Sequence, residues 1–459
     1  MKNAVIAAFA SALLTPGASL AADLNLEAQA ARDGALNDTT AWDVLESLTT
    51  EVGPRPVGTG AIVRARDWGL AKLRALGFEN VHAEPFTAKA WVRGAESAEV
   101  ISPYPQKLAI LGLGGSASTG TGGLEAEIVV FKSLSALMTL PVGALDGKIA
   151  VVTQAMRRTQ GPEGYGAGVL PRIIGAGEAA KRGAVGFLVR SVSTDDTRLP
   201  HTGSMGGTSV IPAAALSVPD AQLLERMAAR GKPVRVRLAM TSTLVEDAPS
   251  WNVIGEFKGA TRPDEVVLVG GHLDSWDPGT GAIDDASGVA ITTAAVKLAA
   301  TTGTRPARTL RVVMFGSEEQ GGSGEAYALA HRDEAAALVL AAESDLGGDE
   351  IWRARLPKGS LGHPAMAAFV AGLPGLKVIV GQTPATNGGS DVEGLQARGV
   401  PTVDFDQDAS RYFDLHHSAD DTLDKLDPAK VAQNVAVWTS FLRLVANSDI
   451  DFRKAAATQ

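Results

Sequence analysis

The stretch Val266-Val-Leu-Val-Gly-Gly-His272-Leu-Asp274-Ser275 decides how the rest of the chain is read. A run of Val and Leu without a polar residue is the pattern of a strand buried on both faces. This one runs straight into an imidazole, with a carboxylate two residues on. An imidazole that binds a metal through one ring nitrogen needs an acceptor for the other, and Asp274 is placed to be that acceptor for His272. A Gly/Pro turn, Trp276-Asp-Pro-Gly-Thr-Gly-Ala282, leads on to Ile283-Asp284-Asp285-Ala-Ser-Gly288. Asp284 falls twelve residues after His272, at the start of an Ala/Val-rich helix. A carboxylate there can bridge two cations through its two oxygens, while Asp285 serves as helix N-cap.

The pattern recurs downstream. Phe315-Gly-Ser-Glu318-Glu319-Gln-Gly-Gly322 closes a second apolar strand. Adjacent acids at a strand end project in different directions, so one can bind a metal while the other faces a water as general base. A third strand, Leu338-Val-Leu-Ala-Ala-Glu-Ser-Asp345, ends in another carboxylate, and Asp414-Leu-His416-His417-Ser-Ala-Asp-Asp421-Thr supplies imidazoles. The chain has no cysteine, so thiolate metal sites and disulfides are excluded, and any metal must sit on His, Asp and Glu. A lone His-x-Asp, a Glu pair or a His pair is ordinary surface chemistry. Five such pieces in order, most of them ending an apolar strand, are not.

Around these strands the chain alternates: runs at 252–257, 265–270, 311–315 and 338–342 are separated by helical stretches at 287–300 and 323–332. That predicts an α/β domain whose mixed, largely parallel central sheet carries helices on both faces, with ligands at the carboxyl ends of its strands. A late strand is expected at 402–405 and a final helix at 428–446. Upstream, helices at 41–48 and 60–77 flank the turn-rich Glu51-Val-Gly-Pro-Arg-Pro-Val-Gly-Thr-Gly60, and a strand follows at 80–86. Residues 113–123 are dominated by Gly, Ser and Thr and read as a domain boundary. A β-rich module is expected at 122–241, inserted into a discontinuous domain of 22–121 and 242–459. Lys2, the apolar run 4–14 and Ser19-Leu20-Ala21 form a signal peptide over 1–21, cleaved before Ala22, which implies a secreted or periplasmic protein.

Composition narrows the function classes. With 42 Lys and Arg against 51 Asp and Glu, and no dense basic run, the chain lacks what binding to nucleic acid requires. No segment is apolar for long enough to span a bilayer.

The ordered set of motifs resembles the M28 family of zinc peptidases. The resemblance implies two zinc ions per chain. It carries His272, Asp284 and Asp345 over as ligands of one and Asp284, Glu319 and His417 as ligands of the other. Asp284 bridges, Glu318 is the general base and Asp274 the partner of His272. His417 is preferred to His416 because it directly precedes Ser418 and a downstream Asp. Ser390 and Asp391 match a family stretch near the site, and a loop-to-helix cap is an equally good reason for them. Val52-Gly-Pro-Arg-Pro with Trp68, Leu76 and Gly77 is similar to the start of the carboxypeptidase Q subgroup, and the module at 122–241 resembles the protease-associated domain inserted there. The implied activity is that of an exopeptidase acting on dipeptides or short peptides with free ends, and the implied assembly a homodimer. The alternatives are an aminopeptidase on longer peptides, a glutaminyl-cyclase-like acyltransferase, and a non-catalytic binding protein. The O/N ligand set would also accept cobalt or manganese.

Overall fold

A computed structural model describes residues 16–457. The apolar run of the expected leader, 4–14, lies outside them, and the expected cleavage point falls inside the helix Pro16–Ala35. Among the described residues no helix is long and apolar enough to cross a membrane.

Strand β1 (Glu79–Val92) opens the central sheet, and the chain then leaves it to build a second one. That sheet is made of β2 (Glu96–Ser102), β3 (Gln106–Leu108), β4 (Ile110–Gly112), β5 (Leu124–Phe131), β6 (Ile149–Val152), β7 (Gly186–Arg190), β8 (Ala213–Leu216) and β9 (Arg235–Met240), in the order β3-β2-β9-β5-β6-β7-β8-β4. The chain returns with β10 (Thr243–Phe257), then β11 (Arg262–His272), β12 (Arg308–Phe315) and β13 (Leu338–Glu343), giving the central order β1-β10-β12-β11-β13. β11 pairs in parallel with both β12 and β13, and β10 runs against its neighbours. A small third sheet joins β14 (Ile351–Arg355), β15 (Ile379–Val380) and β16 (Asp404–Gln407). The late strand expected at 402–405 is thus shifted to β16, and Thr402 touches the central sheet through a single bridge to Ala341.

Alternation along the strands sorts the core into two layers. Val267, Val269, Val312, Met314 and Leu340 face the helices Gly60–Ala75, Ser287–Thr301 and Pro428–Asn447. Leu268, Val313, Phe315 and Ala341 face Tyr327 and Ala328 of the helix Ser323–Ala330, together with Val392 and Leu395. β12 is buried from end to end: Leu310 and residues 312–315 fill the two layers, while Arg308 pairs with Glu265 and Arg311 with Glu256.

The module differs from expectation at its leading edge. β2, β3 and β4 were expected in the discontinuous domain, upstream of residue 122, yet they lie in the second sheet, with β2 paired to β9 and β4 to β8. The Gly/Ser/Thr-rich stretch is a loop inside the module, between β4 and β5. The two points where the chain crosses between sheets lie side by side: Thr241 N–H donates to Ala95 O at 3.1 Å, and Ala95 N–H donates to Thr241 Oγ1 at 2.9 Å. A Cβ on Gly94 would lie 2.2 Å from Thr241 O, so only glycine lets the crossings approach this closely. Gly94 is exposed, yet the atom in the way is backbone that must shift, so Gly94→Ala is expected to cost about 0.5–3 kcal/mol of stability. Urea unfolding that matches the wild-type midpoint would remove this close approach as a constraint.

Candidate metal centre

Register puts the chemistry at one end of the sheet. His272, the last residue of β11, lies level with Phe315 of β12, and Gly270 lies level with Glu343 of β13. The carboxylates that follow β12 and β13 therefore emerge beside the imidazole. Gly271 has its own reason to be small: a Cβ there would lie 2.6 Å from Val289 N, where the helix Ser287–Thr301 begins. That contact brings the turn carrying Asp284 against the strand end.

The residues expected as ligands converge. His272 Nε2 lies 3.0 Å from Asp284 Oδ1 and 3.7 Å from Asp345 Oδ1. His417 Nε2 lies 3.0 Å from Asp284 Oδ2 and 3.1 Å from Glu319 Oε2. Asp284 thus turns one oxygen to each imidazole, between two groups of donors. Ligand atoms about 2.0–2.2 Å from a tetrahedral zinc stand about 3.3 Å from one another, which matches these separations. Glu319 Oε1 is buried and has no hydrogen-bond partner, and Asp284 Oδ2 faces the His417 imidazole. Hard oxygen and imidazole donors left in that state fit a borderline divalent cation.

Two neighbours could compete for the role of ligand, since Asp285 groups with His272 and Asp345, and His416 with Asp284 and His417. Both oxygens of Asp285 are already engaged, one by His272 N–H at 3.0 Å and one by Gly288 N–H at 2.8 Å, so it caps the helix as expected. The His416 ring stacks on His417, 3.6 Å between centroids, and burial pushes its pKa well below 6.5.

Asp274 does more than the expected pairing with His272. Its carboxylate is 3.6 Å from His272 Nδ1, which donates instead to the Asp274 carbonyl at 3.0 Å. The carboxylate oxygens accept the N–H groups of Glu318 at 2.9 Å and Glu319 at 3.3 Å. Asp274 therefore fixes the Glu318–Glu319 turn to the His272 strand. Asp391 is no cap either: it is buried, accepts Ser323 Oγ–H at 2.6 Å, and donates its own N–H to Glu343 Oε2 at 2.9 Å.

Sequence reasoning missed the residues that brace the loops. Arg55, fully buried in the Gly-Pro-Arg-Pro turn, donates to the carbonyls of Leu273 at 2.6 Å, Thr280 at 2.6 Å and Gly281 at 2.9 Å. It ties the loop after His272 to the turn before Asp284. Asp421 accepts Ile283 N–H at 2.6 Å from the other side. The motif around His417 had included Asp421, but nothing in it revealed this partner.

Burial dominates the electrostatics. It works against charge on Asp284, yet hydrogen bonds from His272 and His417 hold that carboxyl well below the usual range. Burial pushes the Glu318 carboxyl well above the usual range, and Asp345 and Glu319 add to the effect. Burial also lifts Asp391 to about 7. These acids and both imidazoles line or adjoin a cleft of about 520 Å³, whose opposite wall is Pro162, Tyr165, Arg172 and Ser204 of the inserted module.

The model of peptidase family M28 matches residues 252–442. The chain is 37% identical over 410 residues to carboxypeptidase Q of Bos taurus, covering 88% of this chain and 85% of that one. It is 35% identical over 412 residues to carboxypeptidase Q of Homo sapiens, covering 89% and 85%. The crystal structure of a peptidase M28 precursor from Shewanella amazonensis superposes with a TM-score of 0.90 at 43% identity, over 94% of this chain and 98% of that one. A zinc aminopeptidase from Bacillus subtilis shares the fold, with a TM-score of 0.66 at 17% identity over 90% and 96%.

Asp284 is the one side chain that both donor groups share. Asp284→Ala is expected to strip the purified protein of its bound metal, read as metal per chain by atomic absorption. Wild-type metal content in that variant would take Asp284 out of the centre.

Proposed function

The chain belongs to peptidase family M28 and is a metallo-exopeptidase, and on that premise we propose that it hydrolyses dipeptides or short peptides with free ends at a centre for two zinc ions. The observation that carries the proposal is Asp284 held between His272 and His417, with Asp345 beside the first and Glu319 beside the second. His272, Asp284 and Asp345 would hold one ion, and Asp284, Glu319 and His417 the other. When bound, the ions supply positive charge that polarises the scissile carbonyl and lowers the pKa of the attacking water.

The chain's own residues do the rest. Glu318 borders the cleft on the turn fixed by Asp274, next to both donor groups. Its carboxylate takes the proton of the attacking water and hands it to the departing amine.

Recognition of chain ends has a physical basis in the same cleft. The Arg172 guanidinium is buried and lines the cleft; its partners are Tyr165 Oη and the Thr202 carbonyl, and its Nε has none. No carboxylate pairs with it among the described residues, whereas Arg355 across the cleft is bound to Asp404 and Asp406. A free peptide carboxylate supplies the missing counter-charge. The acidic side, with Glu343 and Asp345, suits the free α-ammonium. In this reading the module is a protease-associated insert that closes one side of the site.

Glu318→Gln is expected to keep its zinc and lose about 10²–10⁴-fold in kcat. Turnover at the wild-type rate would refute its role as base.

For Arg172 the readout is a preference. Wild type is expected to favour Ala-Ala over Ala-Ala-amide, and Arg172→Met to shrink that preference by about tenfold or more, the worth of one charge-assisted hydrogen bond. Equal losses on both substrates would assign Arg172 to structure alone. A wild type indifferent to amidation would favour an aminopeptidase of longer peptides.

A further inference from the structure

His417 belongs to the catalytic domain by sequence and to the inserted module by contact. Its φ is +61°, in the left-handed region that non-glycine residues enter only when their surroundings hold them there. The holding groups come from residues 201–202, between β7 and β8. Thr202 N–H donates to His417 O at 3.0 Å, and His417 Nδ1–H donates back to Thr202 O at 3.2 Å. One residue earlier, His201 Nδ1 lies 2.6 Å from His416 O. A carbonyl only accepts, so Nδ1 of His201 carries a proton.

His201 is itself rooted in the module. Its ring is buried, its N–H donates to Ser191 Oγ at 2.8 Å, and its Nε2 lies 3.3 Å from Asp195 Oδ1. Asp195 is fixed in turn by Ser193 Oγ–H at 2.6 Å and Thr197 N–H at 2.9 Å. The same loop is gripped further back, where Thr194 N–H donates to Phe413 O at 3.1 Å and Arg158 makes two 2.8 Å hydrogen bonds to the Asp414 carboxylate.

We infer that His201, backed by Asp195, is a positioning residue for the second cation position. Through the His416 carbonyl it keeps the His417 ring where Asp284 and Glu319 meet it, so the inserted module forms part of the metal centre. His201 touches neither the cation position nor the substrate, and it acts only through the 416–417 backbone. Linkage makes the coupling reciprocal: a cation held by His417 tightens the docking of the module onto the catalytic domain. The inference rests on the two-zinc reading above.

Zinc titration of the metal-stripped, full-length protein against a chelating dye tests it without relying on turnover. Wild type is expected to take two ions. His201→Ala should keep the first and bind the second about 10–100-fold more weakly, the usual effect of removing a group that orients a ligand. His201→Gln carries an N–H able to reach the same carbonyl and should recover part of the loss. Hydrogen exchange of residues 413–418 should slow on zinc addition in wild type and much less in His201→Ala. Asp195→Asn leaves the ring in place and carries the test if His201→Ala does not fold; it too should weaken only the second ion. Unchanged binding of both ions, or equal weakening of both, overturns the positioning role and leaves the two-zinc reading standing. A wild type that binds fewer than two ions overturns that reading and the inference with it.

Discussion

The charge of Asp284 governs the site. Its two oxygens face two imidazoles at 3.0 Å each, the residue itself is buried at the cleft floor, and further acids crowd around it: Glu318, Glu319, Glu343, Asp345 and Asp391. Carboxylates brought together out of water repel one another and lose hydration, and both effects raise the free energy of the folded chain. Their pKa values register the strain in opposite senses. Asp284, between the imidazoles, stays ionised, while Glu318, Glu343 and Asp391 are driven toward the protonated form. Such a cluster persists only if something rigid holds it and something positive is meant to enter it.

The rigidity comes from backbone. Parallel pairing sets the end of β12 level with that of β11 and the end of β13 two residues short of it, so the acids that follow β12 and β13 are placed by sheet register. Buried polar side chains then pin the connecting loops, and most of their bonds go to peptide groups. Arg55 donates to carbonyls, whereas Asp274, Asp285 and Asp421 accept amide N–H groups. A side chain so engaged stabilises the loop and has its polar atoms occupied by peptide groups. That division separates the acids that support the site from those left free to bind in it.

The division also explains what could be read from sequence. β11, β12 and β13 each carry an unbroken apolar run toward the carboxyl end, as buried parallel strands do, so they announced themselves, and a His or acid at the end of such a run stood out. Asp285 as a cap was legible because the helix begins immediately after it. The partners of Arg55 were not, since they are backbone carbonyls more than two hundred positions away and carry no sequence signature. The leading edge of the module was hidden for a related reason. β2 reads Glu-Ser-Ala-Glu-Val-Ile-Ser, a weak alternation, and it is specified by pairing with β9 some 140 residues later. A Gly/Ser/Thr-rich loop looked more like a boundary than the true crossing at Gly94, whose only mark is one small residue. The grip of residues 201–202 on His417 was equally silent, because two of its three hydrogen bonds need no particular side chain at position 202.

An open α/β sheet leaves its strand ends facing solvent, where water weakens every charge interaction. The inserted module changes that setting by supplying the opposite wall of the cleft, from Pro162, Tyr165 and Arg172 to Ser204. The wall lowers the local dielectric, so the acids repel more strongly when empty and would attract a cation more strongly when filled. It also stands close: a Cβ on Gly203 would touch both the Arg172 guanidinium and the His417 ring, which places the cleft's unpaired cation next to a proposed ligand. In the proposed function that nearness limits the substrate. There the Arg172 charge would hold a terminal carboxylate close to the point of cleavage, which favours the end of a peptide over a continuing chain. Exopeptidase behaviour then follows from where one module is docked on another, and the catalytic strands alone need not encode it.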